Sequence, residues 1–203
     1  MAFGVSVFAA ATYIDFKGVD EGGFGKKMKE IQETKNIGLR GVKVADTRIS
    51  DVDGERGNLI YRGLNICDLV VHSTFEEVSF LLLNDYLPRA EELKTFQLEL
   101  ISEREVPETI YGFMRMMPKS AHPMDILEAS VPILAAYDTQ LHEESRVANF
   151  KKAIRLVAKL PNLVAAWDRI RKGKEPVSPN SELTHAGNFL YMLSGSLPDR
   201  ETA

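Results

Sequence analysis

From Ser73 onward, apolar residues recur every three or four positions, in segments that proline and glycine cut off at short intervals. This pattern constrains the fold more than any other feature: it calls for a stack of short helices, each burying one face. Ser73, with Glu76 three residues on, predicts a capping box at the head of a helix over 74–84, with Phe75, Val78, Leu81 and Leu82 on one face. Leu87-Pro88 breaks the chain, and 90–103 sets Leu93, Phe96, Leu100 and Ile101 in helical register. Pro107 opens a short helix through Met116, and Pro118 stops it. Pro123 fits a first helical turn and opens 124–137, where Pro132 is expected to kink the axis. The longest helix is expected over 143–172, kinked at Pro161 and closed by Gly173 with Pro176 beyond. A last one covers 181–193, ended by Gly195 and Pro198.

One stretch departs from this texture. Residues 42–50 are short and β-branched, 51–57 form a dense turn cluster, and 58–62 resume an apolar, strand-like run. Asp53-Gly54 between two such runs is a strong hairpin signal. No further strand is predicted after Gly63. The expected class is therefore all-α, mainly helical, with a small N-terminal β-hairpin. Asp51 and Asp53 lack the twelve-residue spacing and terminal Glu of a calcium-binding EF-hand loop, so turn chemistry is their expected role.

Composition narrows the function classes. The chain has 203 residues, 44% apolar and 27% charged, with a net charge of −4. That length can bury a substantial core without staples. The acidic balance argues against a phosphate backbone or an anionic membrane as a general partner. The single cysteine, Cys67, excludes an internal disulfide framework. Residues 1–14 are the longest uncharged stretch, too short to span a bilayer and interrupted by Gly4, Ser6 and Thr12. They lack the positive start of a secretory signal. In the Gly- and Lys-rich segment 21–29, Met28 stands where a dinucleotide-binding G-x-G-x-x-G needs glycine. Residues 1–35 are expected to be an accessory extension and 36–203 the folded part.

The residue types that carry chemistry form no familiar set. His72, His122, His142 and His185 share no ligand spacing, and Arg146 replaces the second histidine of a zinc-protease helix begun at His142-Glu143. Cys67 has no histidine at a telling distance, and no G-x-S-x-G elbow occurs. His122-Pro123 suits a helix entrance. His185, beside Phe189 on an amphipathic helix, is expected to be a satisfied, partly buried histidine. Met114, Met116 and Met117 look like core filling. Between Arg146 and Lys174 there are nine basic residues and one acidic. Lys151, Arg155, Lys159 and Arg169 make a stripe opposite the apolar Val147, Phe150, Ile154, Val157 and Val164. Such a stripe can dock an anion, but more often it is solvated or paired with acidic neighbours. The residues themselves give a helical fold with no recognisable catalytic set and no metal site, and they assign no cofactor-binding residue.

A resemblance adds what spacing does not. Residues 38–68 (GLRGVKVADTRISDVDGERGNLIYRGLNICD) resemble the N-terminal signature of citrate synthases, with their I-S-x-x-D-G-x-x-G-x-L-x-Y-R-G hairpin. The likeness continues in order through STFEEVSFLLL at 73–83, Leu87-Pro88, Met117-Pro118-Lys119, AHPM at 121–124, Lys159-Leu160-Pro161, Trp167 with Arg169-Ile170, and AGNFLYMLS at 186–194. It covers about residues 36–200.

The resemblance implies a helical large domain and a homodimer paired through helices near 124–137 and 146–171. It implies an enzyme that joins acetyl-CoA, as substrate, to oxaloacetate, in the cytoplasm or, in a eukaryote, the mitochondrial matrix. In that family an Asp removes a methyl proton, one His stabilises the enol and a second assists at the oxaloacetate carbonyl. Those groups lie in motifs after the N-F-L-Y-M-L helix: A-E-H, G-x-x-H-G-G-A, G-H-R-V-Y and a later Asp and Arg set. None of these motifs occurs between Met1 and Ala203. No catalytic residue is therefore carried over to this chain. It is expected to be the N-terminal part of a longer enzyme, without the small mobile domain and inactive alone. The alternatives are a non-catalytic helical interaction module on the same half-fold, or a 2-methylcitrate synthase.

Overall fold

The computed structural model describes residues 45–199. The expected extension over 1–35 and the start of the expected strand at 42–44 lie outside them.

Three short strands open the described chain: β1 (Ser50–Asp53), β2 (Asn58–Tyr61) and β3 (Leu64–Asn65), paired antiparallel in that order. The register runs from Ser50 opposite Tyr61 to Asp53 opposite Asn58. The first strand thus falls inside the acidic cluster expected to be turn, and residues 45–49 are not strand. Register explains the shift: four residues, Gly54 to Gly57, make the reversal. The Asp53 carboxylate accepts the amides of Glu55 and Arg56, and Gly57 takes the left-handed φ of +65°. Acidic residues are tolerated in β1 because it is an edge strand, where charge discourages further pairing. The two-residue β3 and the next helix, α1 (Ile66–His72), were not expected; Asn65 creates that helix by accepting the amide of Cys67.

The remaining helices are α2 (Phe75–Asn84), α3 (Ala90–Ser102), α4 (Glu108–Met116), α5 (Pro123–Ala135), α6 (Arg146–Arg171) and α7 (His185–Ser194). Their order agrees with the sequence, and their ends differ where caps decide them. The box on α2 is Thr74 with Glu77, one residue later than expected. Helix α6 begins after Ser145, which accepts the Ala148 amide, so residues 143–145 are not helical. Helix α7 begins after Thr184, which accepts the Gly187 amide, and 181–184 are loop. Helices α5 and α6 run unbroken through Pro132 and Pro161.

Helix α6, about 39 Å long at 1.5 Å per residue, is the axis of the fold. Its Ile154 and Ala158 pack with Phe80 of α2 and Phe96 and Leu100 of α3. Farther along, Leu163, Ala166, Trp167 and Ile170 pack with Val106, Ile110 and Met114, and with Ile126 and Leu134 of α5. The expected apolar stripe is therefore wrong at both ends: Val147 and Val164 are exposed, and the buried row passes through Ala158, Leu163 and Trp167. Met114 is core as expected, but Met116 faces solvent.

Candidate functional site

The residues singled out by chemistry are dispersed. His72 is in the last turn of α1, and His122 caps α5, its Nδ1 accepting the Met124 amide at 3.3 Å. His142 sits between α5 and α6, and His185 is the first residue of α7. Cys67 is exposed in the first turn of α1. Among the described residues no group of three or more His, Cys, Asp or Glu side chains could hold a metal ion.

Two members of the basic stripe of α6, Arg155 and Lys159, pair with acidic neighbours within the chain. Arg155 pairs with Asp138 at 2.6 Å and also reaches Gln140 and Glu103. Burial alone would raise the Asp138 carboxyl, but the Gln140 amide and Arg155 outweigh it and hold it below its ordinary value. Lys159 binds the carbonyl and carboxylate of Glu103, and Lys152 binds the carbonyls of Leu141 and Glu143. Charge pairing thus accounts for Arg155 and Lys159, while Lys152 and Arg169 hold backbone carbonyls.

The densest buried polar cluster lies where α2, α3, α6 and α7 meet. Four of its members were not foreseen: Glu76, Arg104, Asn162 and Asn188. Arg104 is 3% exposed. Its two terminal nitrogens donate to the carbonyls of Asn180 (2.7 Å) and Leu183 (3.0 Å), pinning the loop that leads into α7. Burial lowers its pKa and the Glu76 carboxylate opposes that shift. Asn162 donates to the Arg104 carbonyl, and Asn188 accepts the Asn180 amide at 2.7 Å. Glu76 accepts the backbone amide of His185 at 2.9 Å, so it caps α7 from a different helix. The capping box explains why this was missed: read one residue early, Glu76 looks like a local cap, and with Glu77 in that role Glu76 is free to reach α7.

His185 differs from its expectation in two ways, its depth of burial and its lack of partners. It is buried, and neither ring nitrogen has a partner; its ring stacks on Phe75. Burial, with Arg104 adding to it against the weaker pull of Glu76, lowers its pKa and keeps the ring neutral.

Two hollows adjoin this region. One, of about 190 Å³, lies between Leu100, Ile101, Arg104, Glu76 and the loop around Leu183. The other, of about 110 Å³, lies between Tyr111, Arg115 and Glu175, with Arg115 clamped between Glu108 (2.6 Å) and Glu175 (2.8 Å). Abstracting a proton from carbon needs a free base facing hydrogen-bond donors across an open space. In both hollows the arginine head groups, and the Glu76 oxygen that meets α7, are engaged in holding loops and helix ends.

Comparison with known proteins supplies the context. The family model "Citrate synthase, C-terminal domain" matches residues 38–203. A citrate synthase of Acidithiobacillus ferridurans is 42% identical over 167 residues, covering 80% of this chain and 43% of that protein. A 2-methylcitrate synthase of Mycobacterium tuberculosis is 38% identical over 162 residues, covering 80% of this chain and 41% of that protein. The crystal structure of citrate synthase from Pyrobaculum aerophilum superimposes with a TM-score of 0.75 at 38% identity, over 80% of this chain and 43% of that one. The chain thus spans less than half the length of the relatives it matches.

Proposed function

This chain belongs to the citrate synthase family, and from that premise we propose that it is the N-terminal helical part of an enzyme condensing acetyl-CoA with oxaloacetate to citrate and CoA. The supporting observation is the match along residues 38–203, unbroken from the β1–β2 hairpin to α7 and carried by the same helical fold as the Pyrobaculum enzyme. Residues 36–203 are one domain in this reading, and 1–35 an extension.

The reaction requires a base at a weakly acidic methyl group and donors at the oxygen of the developing enolate. In this proposal the described helices form the wall against which those groups are held, and the groups themselves come from motifs not present in residues 1–203. No permanent cofactor takes part; acetyl-CoA is a substrate. Helices α5 and α6 form the homodimer seam, in keeping with the outward-facing Met124, Val147, Leu156 and Val164. Among the described residues no helix is long and apolar enough to cross a membrane, and the proposed location is cytoplasmic, or the mitochondrial matrix in a eukaryote.

A second reading has its own support in the 38% identity to a 2-methylcitrate synthase. One more methyl group on the acyl donor converts the product from citrate to 2-methylcitrate, so the two readings share a mechanism and differ in donor.

The test is thiol release from acetyl-CoA and oxaloacetate, followed colorimetrically, with the Acidithiobacillus enzyme as positive control. The purified 203-residue chain is expected to release CoA no faster than buffer. Turnover by this chain, abolished by His185→Ala or His122→Ala, overturns the assignment of the chemistry to groups outside it. Light scattering at tens of micromolar is expected to give a dimer, and Ala135→Glu to raise the monomer fraction. A monomeric wild type rules out the α5–α6 seam.

A further inference from the structure

Helix α7 packs along α6 and meets α2 at a histidine whose ring polarity is unused. The His185 ring is 4% exposed, and both Nδ1 and Nε2 lack hydrogen-bond partners. The ring is placed by a parallel stack on Phe75, with centroids 4.7 Å apart and planes within 1°, and by the backbone amide that Glu76 accepts. A phenyl ring would stack equally well without burying two unpaired nitrogens, so imidazole is the costlier occupant. What imidazole adds is the capacity to take a proton near neutrality.

The charged groups around it make that proton disruptive. Helix α2 presents Glu76, whose Oε1 is engaged by the α7 amide. The connection after α3 presents the buried Arg104 cation, tied to the two carbonyls of the loop before α7. That loop carries Glu182, which is exposed, and α6, which also packs on α7, has its cation Arg169 at the far end of that helix, on the Leu193 and Glu175 carbonyls. A second cation at His185 would share a dry pocket with Arg104 and stand at the positive end of α7, where the helix dipole opposes it.

We propose that His185 is a proton-operated latch: the neutral ring docks the first turn of α7 onto α2, and protonation releases that turn while α3 and α6 stay packed. The core around Phe96, Ala158 and Trp167 contains no part of the latch, and the far end of α7 has its own anchor in Arg169. The inference is independent of the acyl-transfer reading. Above the ordinary histidine pKa the closed form is fully favoured. As pH falls below it, the open form takes a proton that the closed form refuses, and protection of α7 is lost.

The experiment is hydrogen exchange of the intact 203-residue chain between pH 7.5 and 5.0, normalised to intrinsic rates, with ring-nitrogen NMR of His185. Protection at the start of α7 is expected to fall by up to about tenfold per pH unit, the limit for one proton, while α3 and α6 keep theirs. The ring is expected to gain its proton in the same pH range in which α7 opens. His185→Phe is expected to make α7 protection independent of pH. The latch is overturned if the ring titrates near its ordinary value with α7 still protected. It is equally overturned if α7 and α6 open together, or if His185→Phe shows the same decline. Should that variant not fold, the wild-type ring titration set against α7 protection decides alone.

Discussion

Arg62 and Asp85 are the two non-glycine residues with left-handed backbone among those described, at φ +48° and +76°, and they are bonded to each other. The Arg62 guanidinium reaches Asp85 at 3.2 Å and donates twice to the Leu82 carbonyl, at 3.2 and 2.7 Å. Thus the strained residue after β2 grips the strained residue ending α2. The Arg62 backbone is held by its amide bond to the Ile49 carbonyl and its side-chain bonds to Leu82, and the Asp85 backbone by its amide bond to the Leu81 carbonyl.

That relationship separates two substitutions. Asp85 is mostly exposed, so its ion pair adds little; Asp85→Gly relieves the backbone and is expected to stay within about 0.5 kcal/mol of wild type. Arg62→Ala keeps the left-handed strain and strips the Leu82 carbonyl of two donors, and is expected to cost about 1–3 kcal/mol. Urea unfolding of the two variants side by side measures the contrast.

At the other junction, Glu76→Ala leaves the His185 amide without its acceptor and Arg104 without a nearby counter-charge. A loss of about 1–3 kcal/mol is expected, smaller in Glu76→Gln, which retains an acceptor oxygen. Equal urea midpoints for the two variants would show that charge, not capping, is what Glu76 contributes.

Phe96 fills the space between α2 and α6, edge-on to Phe80 with centroids 5.5 Å apart. Phe96→Ala is expected to cost about 3–5 kcal/mol through the cavity it leaves. Leu98, two residues on and exposed, is the internal control: Leu98→Ala is expected to stay within about 0.5 kcal/mol. Thermal melts followed by circular dichroism suffice.

Burial, with Glu105 and Glu108 nearby, pushes the Tyr111 phenol up to about 12. The unfolded chain ionises this group near 10, so its contribution to stability is complete below pH 10 and disappears as pH rises toward 12. Tyr111→Phe is expected to lose less stability across that interval than wild type. Urea midpoints at pH 9, 10 and 11 test it, with tyrosinate absorbance confirming a late-titrating phenol.

Gly195 ends α7 at φ +83°, and a Cβ there would stand 2.8 Å from Nη1 of Arg169. Arg169 also holds the Glu175 carbonyl at 2.7 Å, so it cannot yield without releasing the loop after α6. Gly195→Ala is expected to cost about 1–2 kcal/mol from the left-handed backbone alone, with a further loss from Arg169. A loss confined to about 1–2 kcal/mol would remove Arg169 from that account, and a melting temperature equal to wild type would overturn the backbone cost as well.

Helix order and the hairpin were legible because both rest on local rules: apolar period, proline placement and the Asp-Gly turn. The errors have local causes too. One residue of register in the α2 capping box hid the long-range role of Glu76, and a two-residue strand and a seven-residue helix are too short to leave a periodic signal. The α6 stripe failed for another reason. A 26-residue helix that packs against different partners along its length does not keep one buried face, so Val147 and Val164 turn outward while Leu163 and Ala166 turn in. The cluster around Arg104 was out of reach, since its partners lie up to 79 residues away in sequence.

The bond from Glu76 to α7 spans 109 residues. At ribosomal rates of about 5–20 residues per second, its amide partner is made roughly 5–20 s after Glu76 itself. Throughout that interval α2 and α3 can pair, but the carboxylate stays hydrated and the α2 face that receives α7 stays open. The growing chain therefore carries a solvated Glu76 and a Phe75 without its stacking partner for seconds. The α2–α7 seam is therefore among the last parts of the fold to close, and a pause in synthesis before His185 would lengthen the time it stays open.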